Sequence, residues 1–142
     1  MPSITLSQAQ AMIDGALAHA ATLALKPLAV AVLDPGGHVI ALARQDGAST
    51  LRPQIATGKA AGALGLGVSS RRIGDMAAER PWFVAALGPA AAQGLIPAAG
   101  GLIVEAEDGT ISGAIGVTGD TSDNDELCAL AGIAAAGLSA RA

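Results

Sequence analysis

The sequence predicts an α+β domain, an antiparallel β-sheet with helices packed on it, in the order α-β-β-α-α-β-β-α. Three observations carry that expectation. Two pairs of short apolar runs are joined by glycine-bearing turns. Alanine-rich segments of helical periodicity stand before, between and after them. No stretch alternates strand and helix in the way a parallel sheet needs.

The first helix begins at a capping box, with Thr5 as N-cap and Gln8 three residues on, and is expected to reach about Lys26, where Pro27 stops it. Leu6, Ile13, Leu17, Ala20 and Ala24 form its core stripe. Met12, Ala16, His19 and Leu23 form a second stripe, suited to a partner or ligand. Leu28–Leu33 is a strand apolar on both faces. In Asp34-Pro35-Gly36-Gly37 the proline presets φ and Gly36 is expected to take a positive φ. Gly36→Val is therefore expected to destabilise. His38–Ala43 returns, and Arg44-Gln45-Asp46-Gly47 turns again. Pro53 opens a second helix to about Leu64. Ser70 caps a third, Arg71 to Leu87. Leu102–Ala106 and Ile111–Thr118 form the second hairpin. Thr121 or Ser122 starts a last helix running to about Ala140.

A length of 142 residues fits one domain over residues 1–142. Hydrophobic residues make up 51%, with 34 alanines, and charged residues only 14%. That excludes disorder. One Trp, one Phe and no Tyr leave no stacking platform for single-stranded nucleic acid. A net charge of −4 argues against neutralising a phosphate backbone, so no nucleic-acid partner is expected. The single Cys128 excludes a disulfide framework. No apolar run reaches the ~20 residues of a membrane span, and the first residues lack a basic leader. The expectation is a cytoplasmic protein with no membrane partner. So little polar surface on so small a domain implies apolar patches, hence a homo-oligomer.

The residues able to do chemistry are few. His19 lies on the apolar flank of the first helix, as a haem ligand would. His38 follows a turn and is expected to be exposed. His38 and Asp46 are the candidates for proton transfer, with the catalytic set otherwise unknown. Arg44 could fork a carboxylate with Asp46 behind it. Lys59 stands in a small, apolar helical segment; it either snorkels or pairs with Asp46 or a ligand carboxylate. Gly113-Ala114-Ile115-Gly116-Val117-Thr118-Gly119 puts glycines at a strand end just before a helix, where free N–H groups could hold an anion. Asp120, Asp123, Asp125 and Glu126 read as helix-capping acids, and Cys128 as a core residue.

Val32-Leu33-Asp34-Pro35-Gly36-Gly37-His38, Arg44-Gln45-Asp46-Gly47-Ala48, Lys59-Ala60 and Gly113 to Gly119 with Asp125-Glu126 together resemble the GlcG/HbpS family, also known as DUF336. That family includes the C-terminal domain of PduO-type proteins. The resemblance covers Leu6 to about Gly137. It implies a profilin-like α+β fold, assembly into oligomers, and haem binding in some members, with others found in organic-acid or diol catabolism. Carried to this chain, it implies haem with His19 on the iron, Arg44, Arg52 or Lys59 meeting the propionates, and Gly116 and Gly119 in the cofactor site. The alternative is a small cofactor-independent isomerase, lyase or hydratase binding a carboxylate substrate. A third reading is a purely structural oligomeric partner. A rim site for a carboxylate-sized anion is expected where Arg44, Lys59 and the last helix's N-terminus converge.

Overall fold

A computed structural model describes residues 3–141. Five strands, β1 (Ala29–Leu33), β2 (Val39–Arg44), β3 (Gly101–Glu105), β4 (Ile111–Thr118) and β5 (Ser139–Ala140), form one sheet of order β2-β1-β4-β3-β5. Every pairing is antiparallel. Helices α1 (Leu6–Thr22) and α5 (Ser122–Ala135) cover one face and α2 (Arg52–Leu66) the other. Helices α3 (Ser70–Glu79) and α4 (Pro81–Leu87) follow α2, before a short 3-10 turn at Gly88–Ala90. The α+β class is as the sequence predicts.

The strand pattern explains the layering. Alternate residues of a strand face opposite ways. In β1, Val30 and Val32 join the main core under α1 and α5, with Met12, Ala16, Ile115, Val117, Cys128 and Ile133. Ala29, Ala31 and Leu33 face α2. The α2 face is built of small residues, so this helix lies unusually close to the sheet. A Cβ on Gly116 would stand 1.9 Å from the Ala56 carbonyl oxygen.

Several boundaries differ from expectation, each for a local reason. The Thr5/Gln8 capping box forms. The helix it opens ends at Thr22, not Lys26, in a Schellman closure: Ala24 takes φ +51, its N–H donates to Ala21, and Leu25 N–H donates to Ala20. Alanine at that position hid the stop. On α1, Met12 and Ala16 belong to the core, while Leu6 and Ala24 do not. The third helix is two helices. Arg80, restricted by the following Pro81, leaves the helical region at φ −136, ψ 68. Ser69, not Ser70, caps α3; Ser70 is buried and its Oγ accepts from Gly101 N–H at 2.7 Å. The last helix stops at Ala135 with Gly137 in the left-handed region, which frees Ser139 and Ala140 to pair with β3.

The β1–β2 turn also needs a correction. Gly37, at φ +85, holds the left-handed conformation, and Gly36 does not. Gly37 N–H donates to Asp34 O, and Asp34 N–H to His38 O. This is a type I turn followed by a left-handed glycine.

Candidate functional site

The sheet divides the residues singled out in the sequence into two groups. His19 lies in the α1/α5 layer. Lys59 and Gly116 lie between the sheet and α2. Arg44 pairs across β1 with Ala29, which in turn pairs with Thr118, so all three share the α2 face. The structure therefore does not bring His19 together with Arg44, Lys59 or Gly116.

Lys59 neither snorkels nor meets Asp46. It is buried, and its ammonium donates to Val117 O at 2.9 Å and Asp125 Oδ2 at 3.2 Å. Burial pushes the Lys59 ammonium down from its ordinary value and the Asp125 carboxyl up, and the partner's charge opposes each shift. Asp125 Oδ1 accepts from Asp120 N–H at 3.0 Å. The amides beyond β4 and the α2 lysine thus do converge on a carboxylate, and that carboxylate is the chain's own Asp125. Gly116 is a point of contact with α2. Gly119, at φ +143, sits where a Cβ would meet Pro27 O at 2.3 Å.

Two cations on the α2 face remain free of acidic partners among the described residues. Arg52 donates to Thr118 Oγ1 at 2.9 Å. Arg44 is exposed, in a shallow groove with Leu25, Pro27, Gln45 and Asp46. Asp46 is exposed and forms no ion pair with Arg44.

His19 stands half-buried in the last turn of α1. Helices α1 and α5 pack against each other, and the chain leaving α1 meets the entry of α5, where Lys26 N–H bonds Asp120. A Cβ on Gly15 would touch Ala135 and the Ala131 carbonyl. His19 lies one turn beyond Gly15 on the same side of α1, and Leu127 one turn before Ala131 on α5. Leu127, Leu130 and Leu23 are 46%, 43% and 43% exposed. The α1/α5 layer thus carries one half-buried imidazole and three exposed leucines. His38, on the other side of the molecule, is exposed beside a cavity and within 3.3 Å of Asp34 Oδ1. No cluster of three or more metal-binding side chains occurs among the described residues, and no described helix is long and apolar enough to cross a membrane.

An antiparallel α+β sheet domain carrying an imidazole on an apolar helical face is the class these features define. The family model described as "Haem degrading protein HbpS-like" matches residues 4–134, and the chain belongs to that family. Its fold is similar to a PduOC:heme complex (TM-score 0.85, 20% identity, covering 99% of each chain). It is also similar to the Klebsiella pneumoniae protein ORFY (TM-score 0.85, 28% identity, 96% of this chain and 92% of that one). A crystal structure of HbpS aligns with TM-score 0.80 at 27% identity over 94% of this chain and 90% of that one. No curated protein matches the chain significantly.

Proposed function

We propose that this protein binds haem on the outer face of the α1/α5 layer, with His19 as a ligand to the iron and a second copy of the chain covering the exposed leucines. The observation that carries this reading is His19 itself, half-buried on the side of α1 that meets α5, in a layer that leaves Leu23, Leu127 and Leu130 exposed. An imidazole suits haem iron, and exposed leucines suit the porphyrin's apolar faces. The family membership and the fold shared with a haem complex support it. Haem would bring the redox and ligand chemistry of its iron. This chain's residues would hold the ring and exclude water from it. Arg44, Lys59 and Gly116 take no part within one subunit, because the sheet stands between them and His19.

Titrating the purified protein with hemin tests this. A saturable Soret shift is expected in wild type and in His38→Ala, and its loss in His19→Ala. No shift, or one unchanged in His19→Ala, removes the proposal. Light scattering at micromolar concentration should show an oligomer; a monomer of about one chain's mass would remove the covering copy.

A specific observation favours a second reading. Arg44 and Arg52 share the α2 face without carboxylate partners, which suits a small organic anion. Asp46 and the Arg44 groove would then form a substrate site of a cofactor-independent enzyme. Stabilisation by a 2-hydroxy acid that is lost in Arg44→Ala, with no hemin shift, would select this reading.

A further inference from the structure

A cavity of about 540 Å³ opens between the β1–β2 turn, the C-terminal half of α2 and the segment of residues 87–95. Its construction is specific. The segment leaving α4 is drawn against α2 because α2 presents glycines there. A Cβ on Gly62 would lie 3.2 Å from Leu95 Cγ, and one on Gly58 2.7 Å from Ile96 Cγ1. One turn further on, Gly65 has nothing within 4 Å of its Cβ position, and here the cavity opens. Leu64, Leu66, Leu87 and Leu95 supply apolar walls, and no lining residue carries a carboxylate, ammonium or guanidinium group.

The polar side chains on this lining are His38 and Gln93. The exposed His38 side chain stands beside Asp34. Asp34 Oδ1 accepts from Gly36 N–H and His38 N–H, each at 2.9 Å, and lies 3.3 Å from His38 Nδ1. These contacts hold the Asp34 carboxyl below the usual carboxylate range, the His38 backbone N–H contributing most, so it stays a carboxylate. With Nδ1 facing the Asp34 carboxylate, the tautomer protonated on Nδ1 presents Nε2 as an acceptor. No hydrogen bond among the described residues uses Nε2.

We propose that this cavity binds a compact, uncharged molecule with an apolar body and a hydroxyl group, the hydroxyl donating to Nε2 of His38. The volume is that of a small-molecule site. The leucine and alanine walls take the apolar body. No lysine or arginine on the lining offers an anion a fixed charge to pair with, which separates this site from the Arg44 groove. The sheet and α2 separate it from His19, so the two sites stand or fall independently.

The test uses cyclohexanol as probe and cyclohexanecarboxylate as its charged counterpart, followed by ¹⁵N NMR of the full chain. Cyclohexanol is expected to shift His38 Nε2 and the Gly65 and Gln93 amides saturably, and cyclohexanecarboxylate to leave them unmoved. Gly65→Leu fills the open space and should abolish the shifts at a near wild-type melting temperature, without changing the hemin titration. His38→Ala should weaken binding roughly fivefold, the worth of one net hydrogen bond. No saturable shift, equal binding of the carboxylate, or unchanged binding in a folded Gly65→Leu overturns the proposal. Should Gly65→Leu not fold, His38→Ala decides it, because His38 is exposed and its loss leaves the core intact: unchanged affinity overturns the hydroxyl contact.

Discussion

Lys59 Nζ stands 3.2 Å from Asp125 Oδ2, and neither side chain is more than 3% exposed. The pair ties α2 to the first turn of α5 across the end of β4. Each side chain has a further partner: Val117 O accepts from the ammonium, and Asp120 N–H donates to the carboxylate. Breaking such a pair leaves an unpartnered buried charge, which costs far more than the intact pair contributes. Asp125→Asn should destabilise by about 3–5 kcal/mol. The double variant Lys59→Met/Asp125→Leu should recover most of that loss. Urea denaturation of the three proteins measures it; a double variant no better than Asp125→Asn would show that the pair is not the unit of stability.

The β1–β2 turn makes a second prediction. Gly37→Val should cost more than 1 kcal/mol, because a β-branched residue is strained at φ +85. The added side chain meets only Gln93, at 3.9 Å, so backbone strain is the whole cause. Gly37→Asn should cost much less, since asparagine tolerates this region. Equal melting temperatures for Gly37→Val and wild type would refute the turn geometry.

These two sites show which parts of the structure the sequence discloses. Local chemistry was legible: the Thr5/Gln8 box, the Thr121 cap and both hairpins depend on neighbours within a few residues. The same kind of signal was present but misread at Gly36-Gly37, where two adjacent glycines left the left-handed position ambiguous. Arg80-Pro81 announced a helix break that the periodicity on either side concealed. Ala24 gave no signal at all, because alanine does not mark the left-handed position of a Schellman closure as glycine would. Lys59 was legible as an oddity, a cation among Ala56, Ala60 and Ala63. Its partner lies 66 residues away, among acids that all serve equally well as helix-capping residues in sequence. The His38 cavity was hidden for a similar reason: its walls come from three separate segments.

The approach of α2 to the sheet can be tested at Gly116. Its added Cβ would overlap the Ala56 carbonyl oxygen, a backbone atom that cannot rotate away. Gly116→Ala should therefore destabilise by about 1–3 kcal/mol, as overpacking does. A variant as stable as wild type in urea would mean that α2 can move off the sheet at little cost.

Cys128 is fully buried, and burial, with Asp125 and Asp120 nearby, pushes its thiol up to about 11. The thiolate is the reactive form, so at neutral pH the native protein should resist a thiol reagent for as long as it stays folded. Labelling should become rapid in denaturant. Rapid stoichiometric labelling of the native protein would show that the α1/α5 layer opens locally.

The last prediction concerns acid. Asp120 accepts from the Asn124 side chain at 2.8 Å, from Thr121 N–H at 2.8 Å and from Lys26 N–H at 3.1 Å, and these bonds hold its carboxyl down to about 2. The folded value lies below the unfolded one, so between the two the unfolded chain binds more protons and stability rises with pH. The contribution is complete above the ordinary aspartate value and is lost as pH falls through about 2. The bond from Lys26 joins the chain leaving α1 to the start of α5, and the bonds from Thr121 and Asn124 brace the entry of α5 itself. Protonating Asp120 should therefore loosen this end of the layer first. Asp120→Asn should be less stable than wild type at neutral pH and lose less on acidification from about pH 4 to pH 2. Melting temperatures across that range for both proteins check it, and parallel curves would show that Asp120 carries no acid-sensitive share of the stability.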